Sequence, residues 1–148
     1  WELRACDYYE EFEKPKIVYP NIFKRATFAY DDAGFYSNQK TFIIPTTDYG
    51  LLCILNSDVV HFWCTHSLPP LQNGYREPSA LYFAHCPVPC VEKQQDKKDL
   101  ERLGHGICAQ GISKKEKDAT YAEIDAIVTR IFKLTPTEER LMRELPST

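Results

Sequence analysis

The chain has 148 residues, 43% hydrophobic and 26% charged: enough apolar material for one buried core, and the composition of a folded rather than a disordered chain. No apolar run approaches the roughly 18 residues of a membrane-spanning helix. A formal net charge of −3 argues against a domain held on a polyanion by bulk charge, although the placement of charges rather than their sum decides such binding.

Ten prolines and nine tyrosines against six glycines predict short strands joined by stiff connections. Residues 2–14, with Tyr8, Tyr9 and Phe12, predict a short helix that stops before Pro15. Lys16-Ile17-Val18-Tyr19-Pro20 predicts a strand closed by proline. Residues 25–30 predict a second, ending in the turn Asp31-Asp32-Ala33-Gly34. Further extended segments, Phe35-Tyr36 and Thr41-Phe42-Ile43-Ile44, flank the polar loop Ser37-Asn38-Gln39-Lys40. Asp48 is placed to cap a helix over residues 49–55. Ser57 or Asp58 opens another through His66, and both helices are apolar enough to pack inside. Residues 68–80 read as loop, and Leu81-Tyr82-Phe83 and Pro87-Val88-Pro89 as extended chain. From Glu92 the composition turns polar. It predicts a solvated helix over residues 94–103, then a helix over 114–132 with one apolar face. Thr135-Pro136-Thr137-Glu138 starts a last helix running to about residue 145, folded back on its predecessor as a hairpin.

Enzyme signatures are missing from the sequence. It contains no glycine-rich phosphate loop and no Gly-x-Ser-x-Gly elbow. It also lacks an Asp/Asn-Pro-Pro-Tyr tetrapeptide and a glycine-rich site for S-adenosylmethionine. The six cysteines, Cys6, Cys53, Cys64, Cys86, Cys90 and Cys108, read as free thiols of a cytoplasmic protein rather than as disulfides. Cys53 lies in an apolar run where it behaves as a small buried hydrophobe. His61-x-x-Cys64-x-His66 and His85-Cys86-x-x-x-Cys90 carry ligand types that suit zinc. The first lies on an apolar helix and the second on a proline-stiffened segment, so no metal site is expected. Cys64 or Cys86 beside a histidine has the makings of a nucleophilic pair, but nothing orients one. Asp31-Asp32 is explained by the turn before Gly34.

Cations and rings intermingle in the first 76 residues: Lys14, Lys16, Lys24, Arg25, Lys40 and Arg76 with Tyr19, Phe23, Phe35, Tyr36 and Tyr75. Lysine and arginine neutralise phosphates, and the side chains of Asn38, Gln39 and Lys40 have the donors and acceptors that read base edges. The alternative for the same loop is an ordinary solvated hairpin tip.

An ordered set of blocks decides between them. Trp1-Glu2-Leu3-Arg4 and Phe12-Glu13-Lys14-Pro15-Lys16-Ile17-Val18-Tyr19-Pro20 come first. Phe35-Tyr36-Ser37-Asn38, Thr41-Phe42-Ile43-Ile44-Pro45, Leu51 to Ser57, Pro87-Val88-Pro89 and the tail from Ile124 to Glu139 follow. Together they resemble the TaqI-like specificity domain of type II adenine-specific DNA methyltransferases and fused type IIG restriction-modification enzymes. The segment Leu81 to His85 is less polar than that family's pattern.

The resemblance implies an α+β fold. A β-helix-like strand-rich region with an inserted helical segment would span residues 1–91, the target-recognition region. A C-terminal α-hairpin of the same domain would span residues 92–148. The implied function is sequence-specific recognition of double-stranded DNA by a non-catalytic module in a bacterial or archaeal cytoplasm. An upstream methyltransferase domain of the same chain, ahead of Trp1, would hold S-adenosylmethionine, and this part would hold no cofactor. The DNA-binding set is then Lys14, Lys16, Lys24, Arg25, Tyr36, Ser37, Asn38, Gln39, Lys40, Tyr75 and Arg76, with the lysines and Arg25 on phosphates and Asn38, Gln39 and Lys40 on bases. The competing function is a docking module of a restriction-modification or phage-defence complex, using the apolar helices at 49–66 and the closing hairpin without touching DNA.

Overall fold

A computed structural model of the chain describes residues 9–144. The helix expected over residues 2–14 falls partly outside that range. Its described part is a single 3-10 turn, Tyr9–Phe12. Cys6 and the block Trp1 to Arg4 also lie outside the described residues.

Strand β1 (Lys16–Pro20) is the centre of a three-stranded antiparallel sheet, flanked by β2 (Ala29–Asp31) and β3 (Thr41–Pro45) in the order β2-β1-β3. The registers pair Lys16 with Asp31 on one side and with Pro45 on the other, and Pro20 with Thr41. Both outer strands run antiparallel to β1, so they are parallel to each other, and residues 32–40 must travel back along the sheet and across it. Ile17 and Tyr19, two residues apart on β1, send their side chains into the core, as the two-residue period of a strand dictates.

Six helices follow. Asp48 caps α1 (Tyr49–Leu55) by accepting the Leu51 N–H at 2.9 Å, and Ser57 caps α2 (Asp58–Ser67) by accepting the Val60 N–H at 3.3 Å. The sequence predicts the first cap and leaves the second between Ser57 and Asp58. After α3 (Ala80–Phe83) come α4 (Gln94–Cys108), α5 (Lys114–Ile131) and α6 (Pro136–Glu144). Ser113 and Glu116 close a reciprocal capping box on α5. At the head of α6 the Thr135 hydroxyl accepts the Glu138 N–H while the Glu138 carboxylate accepts the Thr135 N–H. A single apolar cluster joins Ile17, Tyr19 and Phe28 from the sheet side to Leu52, Leu55 and Val60 of α1 and α2. The same cluster includes Leu100 and Leu103 of α4 and Ile124 and Val128 of α5.

Two features fix how the layers meet. The buried Asn56 side chain accepts the Phe28 N–H at 3.0 Å and donates to the carbonyls of Phe28 and Leu52 at 2.9 and 3.1 Å, tying α1 to the chain entering β2. Gly104 lets α4 approach α1 closely: a Cβ there would lie 2.7 Å from both the Cβ and the carbonyl oxygen of Tyr49. Cys53 and Cys64 are buried apolar fillers, and burial pushes each thiol up to about 12. No described helix is long and apolar enough to cross a membrane.

The structure corrects several expectations. The β-helix-like arrangement is not confirmed: the described strands form one small antiparallel sheet. Phe35-Tyr36 is not a strand, because the Asp31 carboxylate takes the Phe35 amide that a neighbouring strand would need. Residues 81–83 are helical rather than extended: the Ser79 carbonyl accepts the amides of Tyr82 and Phe83 at 3.0 and 2.9 Å, and the turn buries Phe83 against Tyr19 and Phe28. The three helices expected in the C-terminal region are all present. There α4 packs on α5 and α6 lies beyond them, with Met142 against the core. The ion pair Arg130–Asp96 at 2.6 Å bridges α4 and α5.

Candidate functional site

The connection between β2 and β3 is pinned at its start, middle and end. At the start, the buried Asp31 carboxylate accepts the N–H groups of Ala33 and Phe35 at 2.9 and 3.0 Å and meets the Lys16 ammonium at 2.5 Å. Burial pushes this carboxyl up. Lys16 and the two amides outweigh burial and leave it below its ordinary value. Gly34, at φ +73°, makes the bend between those two amides. In the middle, the Tyr36 ring stacks on Phe12, centroids 5.4 Å apart, and its hydroxyl donates to Glu13 at 2.9 Å. At the end, the Asn38 side-chain oxygen accepts the Lys40 N–H at 2.9 Å, and the Asn38 carbonyl accepts the Thr41 N–H and hydroxyl at 3.2 and 3.0 Å. The Lys40 carbonyl accepts the Asn21 N–H at 2.8 Å, which fastens the loop to the end of β1.

These bonds hold the backbone and leave the tips outward. Gln39 and Lys40 are exposed, and the Asn38 amide nitrogen has no protein partner among the described residues. The Ser37 hydroxyl is buried beside a shallow hollow lined by Phe12, Asn38, Gln39, Thr41 and Ile43, and has no hydrogen-bond partner among the described residues. Phe35 stands 72% exposed on the same connection, an apolar ring where solvation alone would favour a polar side chain.

A second group adjoins the end of β1. Phe23 and Arg76 exchange backbone hydrogen bonds at 3.1 and 2.8 Å, an isolated bridge that brings residues 24 and 75 together. The Lys24 ammonium lies 5.1 Å from the centre of the exposed Tyr75 ring. Both side chains remain reachable from solvent, as does Lys14, which pairs with Glu11 at 2.6 Å on the surface. Arg25 pairs with Asp58 at 2.6 Å and faces a different hollow, shared with His61, His66 and Arg143.

Two residues of the expected set leave it. Lys16 is 0% exposed and held by Asp31 and the Phe12 carbonyl, so it has no access to a phosphate. The residue opposite it in the register is an acid, and the paired strands on either side cover it. Arg76 is 7% exposed, turned inward by the bridge to Phe23. Among the zinc candidates, Cys64 is buried while His66 is exposed with its Nδ1 against the Phe62 carbonyl at 2.8 Å. No group of three His, Cys, Asp or Glu among the described residues is arranged to hold a metal. Helices α1 and α2, part of the docking surface of the competing function, spend most of their apolar side chains in the core.

The connection and the strands it joins lie inside the segment that a family comparison recognises. The model of the TaqI-like C-terminal specificity domain matches residues 2–88, more than half of the chain. The chain belongs to that family. The matched segment of this specificity domain holds the whole sheet, α1 to α3, the loop 37–40 and the Lys24–Tyr75 pair. Helices α4 to α6 lie beyond it. A comparison with curated proteins returned no match. What the sequence could not reveal in this specificity domain is the role of Asp31 and Phe12 behind the loop. The turn at Asp31 was legible, but its ion pair with Lys16 and the stacking of Phe12 on Tyr36 join residues distant in the chain.

Proposed function

We propose that this specificity domain reads duplex DNA for an adenine-N6 DNA methyltransferase or a fused restriction-modification enzyme, and is itself non-catalytic. The observation that carries the reading is the loop 37–40, whose backbone is bonded internally while the Asn38 amide nitrogen, Gln39 and Lys40 face outward. A rigid backbone with free donors suits the reading of base edges, since the ordering entropy is spent in folding rather than in binding. Lys24, with Tyr75 beneath it, and Lys14 supply phosphate contacts that set the register, and Arg25 supplies another from the neighbouring hollow. Tyr36 and Ser37 support the loop from behind.

Among the described residues the sheet has no glycine-rich strand-to-helix turn of the kind that suits S-adenosylmethionine, and α1 is entered from Asp48, whose carboxylate already occupies the helix N-terminus. The cofactor and the flipping of the target adenine belong in this reading to a methyltransferase domain. The exposed apolar side chains of Leu81, Tyr82 and Val88 are available for contact with such a domain.

Selection of duplexes from a library with a randomised centre, followed by sequencing, tests the reading. Enrichment of one short motif is expected. Retention of all sequences alike, or of none, would contradict it.

A further inference from the structure

Lys16 was expected at a phosphate and is instead the most thoroughly enclosed cation of the described chain. Its ammonium touches two things: the Asp31 carboxylate across the register at 2.5 Å and the Phe12 carbonyl at 2.6 Å. Both lead to the connection between β2 and β3. The Asp31 carboxylate that receives the cation also holds the amides of Ala33 and Phe35. Phe12, whose carbonyl Lys16 fixes, is the ring on which Tyr36 stacks. One buried cation therefore stands behind both the start and the middle of the connection.

A buried ion pair is a poor source of net stability, since the cost of desolvating two charges roughly cancels their attraction. An apolar pair of similar volume would serve the sheet as well or better. What an apolar pair does not supply is direction: it has no acceptor for two backbone amides and no donor for a carbonyl. We infer that Lys16 and Asp31 are positioning residues for recognition. They aim the loop bearing Asn38, Gln39 and Lys40 and so set how selectively it reads, although neither touches a ligand. The inference rests on the DNA-reading role proposed above for that loop.

The test uses the full chain and the duplex library with a randomised centre, on the wild type and on Asp31→Asn, Asp31→Glu, Lys16→Met/Asp31→Asn and Asn38→Ala. Amide hydrogen exchange is followed in parallel. In Asp31→Asn, enrichment of the selected motif should fall about tenfold, the effect of one lost base contact, while affinity for an unrelated duplex stays as it was. Exchange should quicken at residues 33–40 and stay unchanged at 17–19 and 42–44. Asp31→Glu, which keeps the carboxylate, should recover part of the enrichment. If enrichment and unrelated-duplex affinity fall together while exchange quickens across the sheet, the pair is merely structural and the inference is overturned. If Asn38→Ala flattens enrichment and the Asp31 variants do not, the inference fails and the DNA-reading role stands. If the wild type enriches no motif, the DNA-reading role fails and the inference with it. Should Asp31→Asn not fold, the double variant, which leaves no unpaired buried charge, takes its place. Failure of both to fold would make the pair a foundation of the sheet and overturn the inference.

Discussion

Asn38 and Lys40 sit two residues apart and differ in how much of their bonding capacity folding has used. Asn38 spends its side-chain oxygen on the Lys40 amide and keeps its nitrogen, so it can donate to a base but no longer offers the bidentate face an asparagine shows adenine. Lys40 is exposed and keeps its whole ammonium. Replacing either by alanine should reduce discrimination between target and non-target duplex by about 1–3 kcal/mol. Asn38→Ala carries a further cost because it loosens the turn. Unchanged discrimination in both variants, measured by competition binding, would remove the loop from the reading surface. Lys24 stands for the other kind of contact. Lys24→Ala should weaken binding to all duplexes alike and lower the salt slope by about 1. A change of preferred sequence in that variant would mean that Lys24 reads bases rather than phosphates.

At the scale of elements, the segments whose ends are marked by local chemistry were legible and those decided at a distance were not. Asp48, Ser57 or Asp58, and the Thr135–Glu138 pair announce three helix starts in the sequence, and a cap forms at each. The strand at residues 16–20 was legible from its β-branched and aromatic run. By contrast, the extended reading of residues 35–36 and 81–83 yields to single hydrogen-bond acceptors, Asp31 and the Ser79 carbonyl, which capture the amides a strand would need. The burial of Lys16 could not be read either. Its partner Asp31 arrives through strand register, a tertiary fact.

Helix packing yields two predictions. Gly104→Ala should cost about 1–3 kcal/mol, because the new methyl meets the Tyr49 backbone at 2.7 Å and α4 must retreat from α1. Chemical denaturation measures it, and a neutral substitution would show that the two helices have room to part. On α5, the Asp125 carboxylate accepts the Asp58 N–H at 2.7 Å at the start of α2. Burial, and then the nearby Asp58 charge, push its pKa from 3.8 to about 6, against the opposing effects of that hydrogen bond, Arg25 and Arg143. A carboxyl whose folded value is raised adds stability fully below its unfolded value, and that contribution is lost as pH rises through about 6. Asp125→Asn keeps the oxygen for Asp58 without the charge. It should match or exceed the wild type by about 1–2 kcal/mol at neutral pH, with the advantage shrinking as pH falls through the window. Denaturant titrations at successive pH values would reveal it. A constant difference between the two proteins across the window would refute the titration.

For the molecule as a whole, the net charge of −3 limits what general attraction to DNA can contribute. In the proposed reading, recognition comes from a few directed contacts where the β2–β3 connection and the Lys24–Tyr75 pair adjoin the end of β1. Helices α4 and α5 share the core and pack against α1, and Met142 of α6 rests against that core. The most direct measurement is chemical-shift mapping of the full chain titrated with the duplex selected from the randomised library, since it reports contacts residue by residue even when binding is weak. Saturable shifts are expected at Ser37 to Lys40, Lys24 and Tyr75, with the surfaces of α5 and α6 silent. Shifts confined to α5 and α6, or none at the loop, would contradict it.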